Sequence, residues 1–179
     1  MYIRLLSGTS DNRALLRYME ESIVAQLEDP LYYYPTSDAE WDSHFSDQGA
    51  VVIATIDSQP AGYVIGSFAT RAGGYLLRTA TEVTRVSAVD VEELFWLDGV
   101  GVMPDFRGRG LQKKMSVFFE QKARSMGARG ILATVAHKNI YSLRNFLDRG
   151  YEVVMESDLD GHKPRLVVLG DVSRLAGFS

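Results

Sequence analysis

The sequence predicts an α/β fold with a mixed, mostly antiparallel central sheet flanked by helices, and three stretches carry that expectation. The run Leu94 to Val102 is apolar, too short for a helix and broken by Gly99 and Gly101, so it reads as a buried strand. After it, Leu111, Met115, Phe118, Phe119, Ala123 and Met126 recur at steps of three and four and mark the buried face of a helix that Gly127 ends. Gly130 to Ala136 is a second apolar strand. A strand–helix–strand succession requires a crossover and local parallel pairing. Hairpins on either side supply the antiparallel part: Ala50 to Asp57 with Gly62 to Thr70 about Ser58-Gln59-Pro60-Ala61, and Tyr151 to Glu156 with Arg165 to Leu169.

The remaining elements follow in order. Tyr2 to Leu6 reads as a first strand, and Leu15, Leu16, Met19, Ile23 and Leu27 mark a helix that Ser10 can cap and Glu28-Asp29-Pro30 stops. The segment with Tyr32, Tyr33, Tyr34, Trp41 and Phe45 reads as a loop and a short helix. Its aromatics either cover the core or line a substrate pocket. Arg71 to Val91, with Gly73-Gly74 and a Thr/Val-rich run, reads as an extra hairpin or an irregular excursion. A last helix spans Asn139 to Arg149, with Ile140, Leu143 and Leu147 facing inward and Gly150 ending it.

With 179 residues, 46% of them hydrophobic, the chain suits one domain over residues 1–179. It has no Cys, which excludes a thiolate nucleophile, a disulfide and a thiolate metal site. His44, His137 and His162 show no paired ligand spacing, so they read as surface or turn residues and no metal is expected. The net charge of −4 argues against nucleic-acid binding. No stretch has the length of a membrane span or the pattern of a secretory signal, so a cytoplasmic protein is expected.

That charge is unevenly placed. Asp105 to Arg129 holds seven Lys or Arg against two Asp or Glu, a local +5 that leaves −9 for the rest. Within it, Pro104 ends the strand and Arg107-Gly108-Arg109-Gly110 allows a tight turn with several backbone N–H groups pointing one way. The positive end of the following helix faces the same turn, so a phosphate or pyrophosphate fits there. The Gly-Lys-Ser/Thr ending of a P-loop is missing, as is the acidic ribose partner about twenty residues on.

The sequence RGRGL at a helix start, after a strand ending V-x-P, resembles the acyl-CoA-binding segment of the GNAT superfamily of N-acetyltransferases. Arg107, Gly110 and Gln112 fall on the pattern's three fixed positions; the first two match and Gln112 departs from the family's Gly or Ala. Asn139-Ile140-Tyr141-Ser142, Phe146 and Gly150-Tyr151 look like the family's Asn-x-x-Ala helix ending in Gly-Phe. The two segments cover Glu92 to Tyr151. The resemblance implies an acyl-CoA N-acyltransferase-like fold, acetyl-CoA as acyl donor, and direct attack of an amine on the thioester. It places Arg107, Gly108, Arg109, Gly110, Leu111 and Gln112 at the pyrophosphate, and Val100 and Val102, on a strand bulged at Gly99 or Gly101, at the pantetheine chain and thioester carbonyl. Asn139 and Ser142 would lie beside the pantetheine arm, although Asn139 also suits a helix N-cap. Asp98 matches the position of the family's catalytic base, where it would act through water, and Asp98-Gly99 also reads as a turn pair. Phe146 stands where many members carry an acidic tyrosine. An acyl-CoA-binding or sensing module without catalysis is the alternative that Phe146 and Gln112 motivate. The expected partner is a small-molecule or peptide amine, cationic in view of Glu28, Asp29, Asp38, Glu40, Asp42 and Asp47, with homodimerisation open.

Overall fold

A seven-stranded sheet in the order β1-β2-β3-β4-β5-β7-β6 forms the centre of the computed structural model, which describes residues 1–27, 29, 33–158 and 164–175. Its strands are β1 (Tyr2–Leu5), β2 (Gly49–Ile56), β3 (Gln59–Phe68), β4 (Leu94–Val102), β5 (Gly130–Ala136), β6 (Glu152–Ser157) and β7 (Arg165–Asp171). All neighbours pair antiparallel except β4 and β5, which run parallel. The helices are α1 (Ser10–Val24), α2 (Asp38–His44), α3 (Gly74–Val83), α4 (Leu111–Ser125) and α5 (Ile140–Leu147). Among the described residues no helix is long and apolar enough to cross a membrane.

Alternation along the strands divides the core between two faces. Val52, Val64, Phe95, Leu97, Ile131 and Ala133 meet Leu111, Met115, Phe119 and Ala123 of α4 and Phe146 of α5. On the opposite face Val51, Ile53, Tyr63 and Ile65 pack on Leu16, Met19 and Ile23 of α1 and Trp41 of α2. Leu94, Trp96, Leu132 and Val167 pack there on Leu76, Ala80 and Val83 of α3.

Several expectations change at the level of local chemistry. The segment 71–91 is neither a hairpin nor irregular, because it contains α3, whose Leu76, Thr79, Ala80 and Val83 are buried at helical spacing. Thr9, not Ser10, caps α1: its side chain accepts from the Asn12 amide. That helix ends at Val24, before the expected stop at Glu28-Asp29-Pro30, of which Glu28 and Pro30 lie outside the described residues. The first hairpin turns at Asp57-Ser58, both at positive φ (50° and 65°), so Gln59 and Pro60 already belong to β3. On α5 the inward residue is Phe146, with Leu143 packed beside it, whereas Ile140 and Leu147 are exposed. Gly127 and Gly150 end their helices as expected, at φ 102° and 93°.

The two crossover helices are locked by a buried ionic cluster. Glu120 of α4 accepts from Arg149 Nε (3.2 Å) and Nη2 and from the Tyr151 hydroxyl (2.8 Å), with Glu120 at 0% and Arg149 at 2% exposure.

Candidate active site

Strands β4 and β5 pair only from Leu94–Trp96 to Gly130–Leu132. Beyond that point both continue without pairing to each other, so the sheet opens as a V and β4 presents one set of backbone N–H and C=O groups to the gap. A bulge sits at the fork: Ile65 faces Gly99 and Gly66 faces Leu97, so Asp98 is the extra residue. The expected bulge at Gly99 or Gly101 is therefore displaced to Asp98. The alternative of a turn at Asp98-Gly99 falls away, since β4 runs unbroken through both residues. Gly66 makes the distortion feasible, because a Cβ there would lie 1.8 Å from the Trp96 carbonyl oxygen.

Asp98, Val100, Asn139, Ser142 and Phe146 line one cleft of about 140 Å³ at the opening. Five of the residues singled out from the sequence thus come together there. Asn139 caps α5 by accepting from the Ser142 amide (3.1 Å), as one of its two readings expected. Gln112 turns its side chain to α5, donating to Ser142 Oγ at 3.5 Å and accepting from Asn145 at 3.0 Å. Phe146 is buried against the Tyr151 ring, 4.9 Å between centroids. Leu111 places its side chain in the core, so only its backbone can serve a ligand.

The glycine turn is open. Gly108 and Gly110 have φ of 76° and 67°, and a Cβ at either would meet nothing within 4 Å. Gly110 is the N-cap of α4, with no side-chain cap and no acidic residue in the first turn, so the helix's leading N–H groups have no side chain of their own to satisfy them. Arg107 and Arg109 are held loosely beside it, through contacts with the Val102 and Asp105 carbonyls at 3.5 and 3.4 Å. Arg109 also stacks over Phe106, 5.4 Å from the ring centroid.

The opposite side of Asp98 holds further groups, of which the sequence offered only Tyr33 and Tyr34 as pocket residues. His44, expected at the surface or in a turn, is 3% exposed and its Nε2 lies 3.1 Å from Asp98 Oδ2. Against a carboxylate, which only accepts, Nε2 is the donor of this contact. His137, by contrast, is exposed, and His162 lies outside the described residues. Tyr33 and Tyr34 also line the cleft, whereas Trp41 covers the core and Tyr32 lies outside the described residues. The Tyr63 hydroxyl donates to that of Tyr33 (2.9 Å), which donates to Glu20 (2.9 Å). Burial raises the pKa of both phenols, so the chain stays protonated. Tyr75 of α3 lines the cleft too, its pKa raised by burial and then by the charges of Asp98 and Glu40. No sequence spacing links these residues, since His44 and Asp98 are separated by 54 positions.

Comparison with known proteins agrees with this geometry. Residues 13–151 match the Acetyltransferase (GNAT) family. No curated protein matches the sequence. Among solved structures, yncA of Salmonella typhimurium, solved with its cofactor acetyl-CoA, superimposes with a TM-score of 0.67 at 14% identity, over 96% of this chain and 94% of that one. The ribosomal-protein-S18-alanine N-acetyltransferase of Escherichia coli gives 0.66 at 13% identity, over 99% and 98%. An aminoglycoside 6'-N-acetyltransferase complexed with coenzyme A gives 0.64 at 12%, over 96% and 97%. At these identities the neighbours establish the fold, and the family match spans most of the chain. With its split sheet, its open glycine turn before a crossover helix and its match over residues 13–151, the chain belongs to the GNAT acetyltransferase family.

Proposed function

We propose that this acetyltransferase moves an acetyl group from acetyl-CoA to a primary amine, with Asp98 as the base that prepares the amine. The observation that carries the reading is the position of Asp98 on the bulge, at the fork where β4 leaves β5, bonded to the buried His44. Acetyl-CoA supplies the acetyl group as a thioester. The uncapped start of α4 and the turn Arg107 to Gln112 suit its pyrophosphate, and the open side of β4 with Asn139 and Ser142 suits its pantetheine arm.

An ammonium has no lone pair, so it must lose a proton before it can attack. Asp98 takes that proton directly or through water, and His44 orients the carboxylate and shares the charge change. The amine nitrogen then bonds to the carbonyl carbon as the carbon–sulfur bond breaks. A second proton leaves the nitrogen, and one proton ends on the departing sulfur. A thiol with an ordinary pKa of about 8.5 departs as thiolate near neutral pH, so Phe146 in place of an acid does not prevent catalysis. Beyond Phe146 and Gln112, no observation favours the sensing-module alternative. A cytoplasmic setting, where acetyl-CoA is available, suits the proposed reaction.

Acetyl-CoA at millimolar concentration is expected to raise the melting temperature, because a ligand that binds only the folded state stabilises it by mass action. Gly110→Val is expected to abolish that shift. The new side chain meets no protein atom but stands where the backbone approaches the anion, and its φ of 67° disfavours a β-branched residue. A normal shift in Gly110→Val would place the cofactor elsewhere. Phe146→Tyr is expected to keep or raise turnover, measured by release of free thiol with one identified amine; a loss of tenfold or more would count against the space at this position.

A further inference from the structure

A second cavity of about 400 Å³ lies between α2, α3 and the start of β4, lined by Glu40, His44, Ala72, Leu76, Trp96 and Asp98 among others. It is on the face of the sheet that α4 and α5 do not cover. It shares Asp98, Glu40 and Tyr75 with the cleft at the fork, so the two spaces meet at the carboxylate of the bulge. We propose that this cavity is the acceptor site and that it takes a compact primary amine whose apolar body carries a hydrogen-bond acceptor. The inference rests on the acetyl-transfer reading above.

Geometry separates the two substrates. The part of the fork cleft along β4 and α5 suits a pantetheine arm, while its other end, with Tyr34, Glu40 and Tyr75, meets the α2–α3 cavity, so an amine can reach the same carbonyl from that side. The α2–α3 cavity gives that approach and ends on Asp98. Its volume is that of a small-molecule site. Asp98 and Glu40 favour an ammonium, while Ala39, Ala72, Leu76 and the Trp96 ring form apolar wall for the rest of the molecule.

Two buried polar atoms point further. Trp96 is 1% exposed and His44 3%, and neither Trp96 Nε1 nor His44 Nδ1 has a hydrogen-bond partner among the described residues. Buried polar groups are rarely left so, and both residues line this cavity. The indole N–H can only donate, so it requires an acceptor on the ligand. Trp96 and Asp98 are two residues apart on one strand, roughly 7 Å at regular strand spacing, which suits a hydroxyl or carbonyl at the far end of a short apolar body from the ammonium. At the mouth stands the exposed Arg71, held by its Nε to Gln48 at 3.1 Å, and it opposes a second positive charge. A polyamine is therefore disfavoured.

Tyramine has the required parts, and phenethylamine lacks only the hydroxyl. With acetyl-CoA present, kcat/KM for tyramine is expected to exceed that for phenethylamine by about fivefold, the size of one net hydrogen bond. Spermidine and a tripeptide with a free N-terminus are expected to react more slowly. Trp96→Phe should erase the preference for tyramine, a ratio that general loss of stability does not move. Ala72→Trp and Ala39→Trp fill the cavity from less buried walls and are expected to raise KM for tyramine tenfold or more while the acetyl-CoA thermal shift stays unchanged. Unreacted tyramine, a preference for spermidine or the tripeptide, or an unchanged KM in both filled variants overturns the acceptor site and leaves acetyl transfer standing if the thermal shift persists. Absence of that shift in the unaltered protein overturns both.

Discussion

Asp98→Asn is expected to slow turnover by roughly 10²-fold or more, the range that removal of a positioned general base produces. The substitution keeps the side chain's shape and lets the amide oxygen still accept from His44 Nε2, so the bulge and the fork are retained. Acetyl-CoA should therefore shift the melting temperature as in the unaltered protein. The rate is to be followed with one identified amine from about pH 6 to 9, a window around the ordinary pKa of a thiol. His44→Gln should give a smaller loss, since it changes the support of the carboxylate and not the carboxylate itself. Equal rates for Asp98→Asn and the unaltered protein would remove Asp98 as the base.

The largest effect on stability is expected at Glu120. Glu120→Ala leaves the Arg149 guanidinium, 2% exposed, without its counter-charge and also strips a partner from the Tyr151 hydroxyl. Removing one member of a buried ion pair costs about 3–5 kcal/mol. In a protein of this length that corresponds to a fall in Tm on the order of 10 °C. The paired change Glu120→Met with Arg149→Met should lose less than Glu120→Ala alone, because neither charge is then stranded. Urea unfolding measures both. A loss below about 1 kcal/mol in Glu120→Ala would mean that water reaches Arg149 readily.

The central part of the molecule is readable residue by residue, for local reasons. Strand β4, the glycine turn, α4 and β5 each announce themselves by apolar spacing or by a residue without Cβ, and their ends fall where that spacing stops. Helix α3 is hidden because threonines and valines favour strands while Gly73-Gly74 suggests a turn, and packing against Trp96 and Leu94 overrides both. Glu120 breaks the apolar face of α4 in a way no local rule explains, since its partner is 29 residues away. The same holds for His44, whose role depends on Asp98 across the sheet. On the proposed cofactor side the relevant groups are backbone atoms and consecutive residues, which a sequence displays. The cavity proposed for the acceptor is lined from α2, α3 and β4 together, and only the fold assembles it.

The fork between β4 and β5 has a consequence for handling the protein. A strand that stops pairing inside a sheet carries the same exposed ladder as an outer edge, and such ladders recruit strands from other molecules. Here the stretch from Leu97 to Val102 does not pair with β5, and its non-polar side chains leave it a template for self-association in the middle of the sheet. A bound pantetheine arm would cover that ladder. Purification and concentration in the presence of coenzyme A should therefore reduce turbidity during prolonged storage, beyond the reduction that added thermal stability alone would bring.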